Sequence, residues 1–231
     1  MRVIGHSVPR KEAVAKLTGQ AVYTADMKVD NCLYGRTLRS IVPHARIKEI
    51  RFRPGVPWND FVIVLPGDIP GLNGVTLIDT EQPYLAADEI RHIGEPLTLI
   101  AHEDRELLEK ALHHIDVDVE ELPAVFSMEQ ALQGGRIFKS YRVQNADPDE
   151  KWSEADLILE ETYRTGSQEH LYIEPQAMTA TAIPGGEITV WGSLQCPYYI
   201  RKALAPLFAI DPEQVRIIQM ETGGGFGGKE E

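Results

Sequence analysis

The feature that most constrains this chain is a glycine-rich segment that directly follows a strand-like stretch. Residues 215–220 have the apolar character of a strand, and residues 223–228 then contain five glycines in six positions. Glycine adopts positive φ without a steric penalty and lets a ligand or a neighbouring backbone approach closely. Rows of backbone N–H groups in such turns form anion-binding concavities. The sequence therefore predicts a turn of bare backbone that either contacts a bound group or serves as a purely structural glycine turn.

Two nucleotide-binding patterns fit the glycine spacing only in part. Gly223, Gly228 and Lys229 match G-x-x-x-x-G-K, but Glu230 occupies the position where a Ser or Thr must hold Mg²⁺. Gly223, Gly225 and Gly228 also match G-x-G-x-x-G after a strand. The helix and the later acidic residue that complete a dinucleotide site do not follow in this sequence. Both interpretations are therefore disfavoured.

The composition restricts the class of protein. The chain has 231 residues, of which 43% are hydrophobic and 25% charged, as in soluble globular proteins. Neither the roughly 18 apolar residues of a membrane helix nor an apolar export signal is present, so a cytoplasmic protein without membrane attachment is predicted. The net charge of −12 disfavours binding to nucleic acid. Two cysteines, Cys32 and Cys196, are too few for an iron–sulfur cluster.

The apolar periodicity predicts an α+β fold that begins with a mixed α/β domain at residues 1–126. Short strands are expected between residues 34 and 52, and buried strands at 61–65 and 97–101. A helix should follow, because apolar residues recur on one face at the 3.6-residue period: Leu107, Leu108, Ala111, Leu112 and Ile115. Alternation of apolar and acidic residues from Ile115 to Glu120 then predicts a one-sided strand.

A second domain is predicted to begin near residue 155. Residues 127–154 are polar and weakly periodic, and we interpret them as a connector over the surface. Leu157, Leu159 and Tyr163 share one face of a predicted strand, and residues 187–193 form another. A helical stripe from Ile200 to Phe208 contains Pro206, which is expected to bend the helix.

The glycine-rich segment resembles a family motif letter for letter. GGGFGGKE at residues 223–230 resembles the pyranopterin loop in the molybdenum-binding large subunit of the xanthine dehydrogenase/aldehyde oxidase family. Further similar blocks are RKEA at 10–13, KLTG at 16–19, YTAD at 23–26, LYG at 33–35, GEP at 94–96, ELPAV at 121–125 and QEH at 168–170. The resemblance implies a hammerhead domain at residues 1–126. Residues 155–231 would then begin a truncated molybdopterin-binding domain.

The resemblance also implies which residues contact the cofactor. Gln195 aligns with a glutamine that contacts a molybdenum oxygen ligand, and Gly224, Gly225, Phe226 and Gly227 align with the backbone that borders the pterin. Molybdenum would be held through the pterin, so no side-chain metal ligand is implied. An alternative for the glutamine is that it caps the helix that follows it, and the glycines alone are also compatible with a structural turn.

Glu230 aligns with the glutamate that orients purines in xanthine dehydrogenases, where aldehyde oxidases usually carry an apolar residue. A carboxylate can pair with ring N–H groups and stabilise charge that develops during hydroxylation. This residue therefore favours a purine or related N-heterocycle, hydroxylated with oxygen from water. The competing interpretation is a solvated residue at the end of this sequence.

The resemblance implies a larger complex. The complete enzyme would carry a molybdenum–pyranopterin, as molybdopterin or its cytosine dinucleotide, and pass electrons to [2Fe–2S] and FAD subunits. The catalytic base is expected in the remainder of the molybdenum subunit, so the isolated chain is expected to be inactive and without cofactor. The alternatives are a non-catalytic module for assembly and subunit contacts, or an aldehyde oxidase-type member; a homo-oligomer is compatible with each.

Overall fold

The computed structural model describes residues 3–75, 82–137, 139–145, 147 and 151–230. The described residues form two compact units. One comprises the chain up to Leu122 together with the chain from His170 onward, and the other comprises Pro123–Glu169. The division into 1–126, 127–154 and 155–231 stays a prediction.

The first sheet of the larger unit is antiparallel. Strand β5 (Pro96–His102) lies at its centre, between β1 (Tyr34–Arg39) and β3 (Val62–Val64). Four of the seven residues of β5 are buried, including neighbouring pairs, as expected for a strand covered on both faces. The predicted strand at 97–101 is therefore confirmed, and the one at 61–65 is confirmed with a shorter extent.

The second sheet is also antiparallel. Strand β2 (Ala45–Phe52) lies between β4 (Glu89–Ile90) and β6 (Ile115–Glu121). Strand β6 begins at a buried isoleucine and turns its acidic residues to solvent, which confirms the predicted one-sided strand.

Helix α2 (Arg105–Leu112) lies between β5 and β6 in the chain and completes this part of the core. The Asp104 carboxylate caps it by accepting hydrogen bonds from the Glu106 and Leu107 N–H groups at 2.8 and 3.1 Å. Leu108 and Ala111 pack in a hydrophobic cluster with residues of both sheets. The mixed α/β arrangement predicted for the N-terminal part is thus confirmed, together with its helix.

The third sheet combines antiparallel and parallel pairing. Strand β8 (Ile188–Gly192) pairs antiparallel with β7 (Met178–Ala182) and parallel with β9 (Val215–Gln219). Parallel neighbours need a crossover, and helix α4 (Pro197–Phe208) provides it. The helix continues past its internal proline to Phe208. This βαβ unit delivers the chain from β9 into the glycine-rich segment.

The strand predicted at residues 157–163 is wrong. Residues 157–163 are irregular, and the side chains of Leu157, Leu159 and Tyr163 are 76, 85 and 87% exposed. Alternation defines a face for burial, but a strand also needs a hydrogen-bonding neighbour, and none of the described strands pairs with this segment. The smaller unit instead contains α3 (Met128–Gln133), capped by Ser127, within the stretch predicted as a connector.

No helix in the described part of the chain is long and apolar enough to cross a membrane. The N-terminal stretch begins with the short helix α1 (Ala13–Leu17). Beyond it, Tyr23 forms an isolated parallel bridge with Glu221, just after β9. The early part of the chain therefore lies beside the start of the glycine-rich segment.

Candidate cofactor-binding loop

The glycine-rich loop has a backbone that few residues other than glycine adopt. Gly224 and Gly227 have φ of +106° and +96°, and Phe226 lies in the left-handed region at +52°. The Gly228 N–H donates to the Gly225 carbonyl at 2.8 Å and closes a turn around the phenylalanine. A bulky residue at positive φ is uncommon and costs free energy, so the surrounding contacts must hold this turn.

Gln195 provides several of those contacts. Its side-chain Oε1 accepts hydrogen bonds from the Gly227 and Lys229 N–H groups at 3.0 and 3.3 Å. Its backbone N–H donates to the Lys229 carbonyl at 2.7 Å. Since an N–H group requires an acceptor, these bonds fix which amide atom is the oxygen. The Nε2 group has no acceptor among the described residues and remains available as a donor.

The helix-capping interpretation of Gln195 is wrong. Helix α4 begins at Pro197, its N-cap is Cys196, and no side chain forms a capping hydrogen bond. The amide is instead held against the loop. A Cβ atom on Gly225 would lie 2.2 Å from Gln195 Oε1, so glycine at that position is what allows the amide to approach.

A buried ion pair lies beneath the loop. The Lys229 Nζ atom donates to Glu174 Oε2 at 3.0 Å and to Ser193 Oγ at 2.8 Å, and it lies 4.8 Å from the centre of the Tyr172 ring. The lysine side chain is fully buried, while 16% of the glutamate side chain is exposed. A lysine is rarely buried without a partner, and here a carboxylate, a hydroxyl and an aromatic face surround it.

The pKa of Glu174 results from opposing effects. Burial raises it, because desolvation penalises the charged form. Hydrogen bonds from Ser193, the Gly223 N–H and Lys229, together with the lysine's charge, lower it by more, so the pKa lies below its ordinary value of 4.5. The carboxylate is therefore ionised at neutral pH and pairs with the ammonium.

Two further glycines are required by close packing. A Cβ atom on Gly223 would lie 2.6 Å from Glu174 Cβ, and one on Gly228 would lie 2.5 Å from Tyr172 Cε1. Both distances are too short for any side chain. The structural interpretation of the glycines therefore holds for these two positions.

A cavity of about 780 Å³ opens beside the loop. Gln195, Gly224, Gly225 and Phe226 form part of its wall, and Thr222 and Met220 continue it. Cationic side chains of the N-terminal stretch also line the cavity: Arg10, Lys11 and Lys16. The cavity thus combines a bare backbone, a carboxamide and positive charge.

The structure brings most of the predicted site residues together, although it does not test their roles. Gln195 contacts Gly225 and Gly227 directly, and Phe226 projects outward with 72% of its surface exposed. Glu230 is exposed at the end of the loop and forms no hydrogen bond with a described residue. Among the described residues, no group of three or more His, Cys, Asp or Glu side chains could hold a metal ion.

The sequence analysis did not identify the side chains that support the loop from below. Glu174 and Ser193 lie 55 and 36 residues from Lys229 in the chain, so no local spacing connects them. With 35 acidic residues available, the partner of a buried lysine could not be chosen from the sequence. The only usable signal was the lysine itself, inside an otherwise small and apolar segment.

Two family models match the chain. Residues 18–123 match the a/b hammerhead domain of aldehyde oxidase and xanthine dehydrogenase, and residues 131–231 match a molybdopterin cofactor-binding domain. Relatives of known name align with nearly the whole chain. It is 33% identical to the nicotinate dehydrogenase large molybdopterin subunit of Eubacterium barkeri, covering 99% of this chain and 56% of that protein. It is also 33% identical to a probable xanthine dehydrogenase subunit from Bacillus subtilis, covering 96% and 31%.

Solved structures have the same fold. The aldehyde oxidoreductase from Desulfovibrio desulfuricans ATCC 27774 aligns with 97% of this chain and 28% of its own, at a TM-score of 0.80 and 25% identity. Quinoline 2-oxidoreductase from Pseudomonas putida 86 aligns with 97% and 31%, at a TM-score of 0.78 and 26% identity.

The fold and the loop together define the class of molybdopterin-binding large subunits. This chain belongs to the xanthine dehydrogenase/aldehyde oxidase family. The resemblance drawn from residues 223–230 is thereby confirmed, as is the α+β fold class. The chain spans about half the length of the nicotinate relative and about a third of the xanthine dehydrogenase relative.

Proposed function

We propose that this chain supplies the cofactor-facing loop of a molybdenum hydroxylase that oxidises a purine or a related N-heterocycle. The observation that carries the proposal is the contact of Gln195 with the glycine-rich loop at the wall of the cavity. It leaves one amide donor and a bare backbone on the same surface.

The residues present fit a molybdenum–pyranopterin. The loop offers main-chain donors without side-chain obstruction, and Gln195 Nε2 offers a neutral donor for an oxygen ligand of the metal. Arg10, Lys11 and Lys16 offer positive charge for the cofactor's phosphate, with either molybdopterin or its cytosine dinucleotide compatible. When bound, the cofactor supplies the redox-active metal that accepts two electrons from substrate while oxygen from water is introduced.

The chain's own residues would bind and orient rather than transfer protons. Gln195 Oε1 is occupied by two loop N–H groups, so the carboxamide cannot rotate without losing both hydrogen bonds. Preorganised donors of this kind stabilise charge without reorganisation during reaction. A general base and the remaining cofactor contacts would come from the rest of the large subunit.

An N-heterocyclic substrate is favoured by Glu230 and by the names of several relatives. The relatives include a nicotinate dehydrogenase, xanthine dehydrogenases and the nicotine 6-hydroxylase large subunit of Paenarthrobacter nicotinovorans, which is 28% identical over 98% of this chain. Each of these names contains a nitrogen ring compound. An exposed carboxylate at the end of the loop is free to accept a ring N–H.

We further propose that the chain works with the remainder of a large subunit, a [2Fe–2S] subunit and an FAD subunit in the cytoplasm. Three relatives are themselves named as single subunits of larger enzymes, which supports a multi-subunit assembly. The alternative function is a non-catalytic module that only makes subunit contacts. An aldehyde substrate is the second alternative, because an aldehyde oxidoreductase shares the fold.

Cofactor loading provides the first test. The chain would be co-expressed with the complementary part of a large subunit and the two electron-transfer subunits, and the purified complex analysed for molybdenum and pterin. Gly225→Ala should displace the flexible end of Gln195 rather than unfold the chain, because the added Cβ would meet Oε1. We expect molybdenum content to fall about tenfold, which corresponds to about 1.4 kcal/mol of lost affinity, with little change in Tm.

Gly35→Ala is the matched control, since a Cβ atom there meets nothing within 4 Å. It should load molybdenum like the wild type. An intact, well-folded complex without molybdenum would favour the assembly module. Full loading of Gly225→Ala would contradict the role assigned to the loop.

Substrate choice provides the second test. In the loaded complex, Glu230→Gln should lower kcat/KM for a purine by about 10–100-fold, the value of a hydrogen bond to a charged group. Turnover of an aromatic aldehyde should change little, because it has no ring N–H for the carboxylate. Equal losses for both substrates, or a wild type that oxidises only aldehydes, would reject the N-heterocycle assignment.

A further inference from the structure

We infer that Glu174 and Lys229 form a positioning pair that holds both ends of the glycine-rich loop and thereby orients the Gln195 carboxamide. The pair touches neither substrate nor cofactor in this assignment. The inference rests on the proposed function for its consequence, but its structural part concerns the loop alone.

The first step is that one carboxylate oxygen joins the two ends of the loop. Glu174 Oε2 accepts from the Gly223 N–H at 2.6 Å and from Lys229 Nζ at 3.0 Å. Gly223 begins the glycine-rich segment and Lys229 follows its last glycine. Six residues of bare backbone are therefore closed onto a single atom.

The second step is that Ser193 connects the pair to the sheet. The Ser193 hydroxyl donates to Glu174 Oε2 at 2.6 Å and accepts from Lys229 Nζ at 2.8 Å. Ser193 directly follows strand β8 and is 2% exposed. The lysine is 1% exposed, so its ammonium has no solvent to stabilise it if the carboxylate is removed.

The third step leads from the lysine to the amide. The Lys229 main chain bonds Gln195 in both directions, N–H to Oε1 at 3.3 Å and carbonyl from the Gln195 N–H at 2.7 Å. Movement of the lysine side chain would therefore move the two groups that hold the carboxamide. The backbone alone is too flexible to keep that place, because five of the six preceding residues are glycine.

A buried ion pair is an inefficient means of stabilising a fold, since desolvation offsets most of the attraction. Well-packed neutral side chains of similar volume often give equal or greater stability. The pair is therefore expected to contribute geometry that a neutral pair does not reproduce. This difference separates a positioning role from a purely structural one.

The experiment measures hydrogen–deuterium exchange of the peptide covering residues 221–230 in the chain itself. In Lys229→Met the exchange should accelerate at least tenfold. In the double variant Lys229→Met/Glu174→Gln the Tm should recover towards the wild type, because no unpaired charge stays buried, yet the exchange should remain fast. Ser193→Ala, which keeps both charges, provides a milder change and should accelerate the exchange several-fold without loss of folding.

Thr98→Val is the matched control. Thr98 is fully buried in the first sheet and its hydroxyl donates to the Val64 carbonyl, so the variant should lower Tm while leaving exchange at 221–230 unchanged. Wild-type exchange rates in the double variant would overturn the positioning role. So would an equal acceleration in Thr98→Val.

Molybdenum content of the assembled complex separates this inference from the proposed function. If the double variant has a mobile loop and the wild-type complex contains molybdenum, the variant should contain about tenfold less. Full loading of the double variant would overturn the link to the cofactor. A wild-type complex without molybdenum would reject the proposed function, while the exchange data would still decide whether the pair positions the loop.

Discussion

At the residue scale, each position of the loop is determined by a different contact. Gln195 requires glycine at position 225, Tyr172 requires it at 228, and Glu174 requires it at 223. The motif is therefore a set of three separate steric requirements in addition to two positive φ values. The letters of the motif were readable in the sequence, but the buried partners were not, because they lie on other parts of the chain.

The depressed pKa of Glu174 predicts an acid-sensitive contribution to stability. A folded-state pKa below the ordinary 4.5 stabilises the native state above pH 4.5, and this contribution is lost as the pH falls through the folded value. Glu174→Gln should lower the free energy of unfolding at pH 7 by about 3–5 kcal/mol, because it leaves a buried lysine unpaired. Below pH 4.5 its stability should fall less steeply than that of the wild type.

Urea denaturation between pH 7 and pH 3 measures this effect. Glu187→Gln at an exposed position serves as the control and should follow the wild type throughout. Parallel acid limbs for Glu174→Gln and the wild type would contradict the assignment of a depressed pKa.

At the element scale, helix α4 is tied to the N-terminal part through its last carbonyls. The Leu72 N–H donates to the Pro206 carbonyl at 2.9 Å and the Gly71 N–H donates to the Leu207 carbonyl at 3.0 Å. The end of the helix is thus satisfied by a loop of the same compact unit rather than by a local cap alone. Pro206 therefore lies within the turn that this loop contacts.

Gly71→Ala should disrupt this junction. A Cβ atom at Gly71 would lie 2.0 Å from the Pro206 carbonyl oxygen, so the loop or the helix must move. We expect a loss of about 1–3 kcal/mol, as for other overpacked sites, measured by thermal or urea unfolding. Gly67→Ala, in the same loop region but with open space around its Cβ, should be close to neutral. Equal stability of the two variants would contradict the contact.

Prediction of these elements depended on how much of their pairing was local. Strands β5, β6 and β8 and helix α2 were predicted because burial alone produces their periodicity. The segment at 157–163 has the same alternation, yet it forms no strand, because periodicity carries no information about a hydrogen-bonding neighbour. The sequence could not distinguish the two cases.

At the scale of the whole molecule, the cavity wall depends on both early and late parts of the chain. Lys16 Nζ donates to the Thr222 carbonyl at 3.1 Å and pairs with Glu221 at 3.3 Å, and Tyr23 forms a bridge with Glu221. The α+β class and the family were accessible from sequence through periodicity and one motif. The meeting of these distant segments was not, since nothing in either one specifies the other.

The contact between Lys16 and Thr222 spans 206 residues of sequence. A contact of such high order closes late, because the entropy of loop closure must be overcome before the contact contributes. A polypeptide emerging from the ribosome therefore carries its first cation-bearing segment for most of its synthesis before the partner segment exists. Insertion of a prosthetic group at this wall must consequently be a post-translational event on a nearly finished fold.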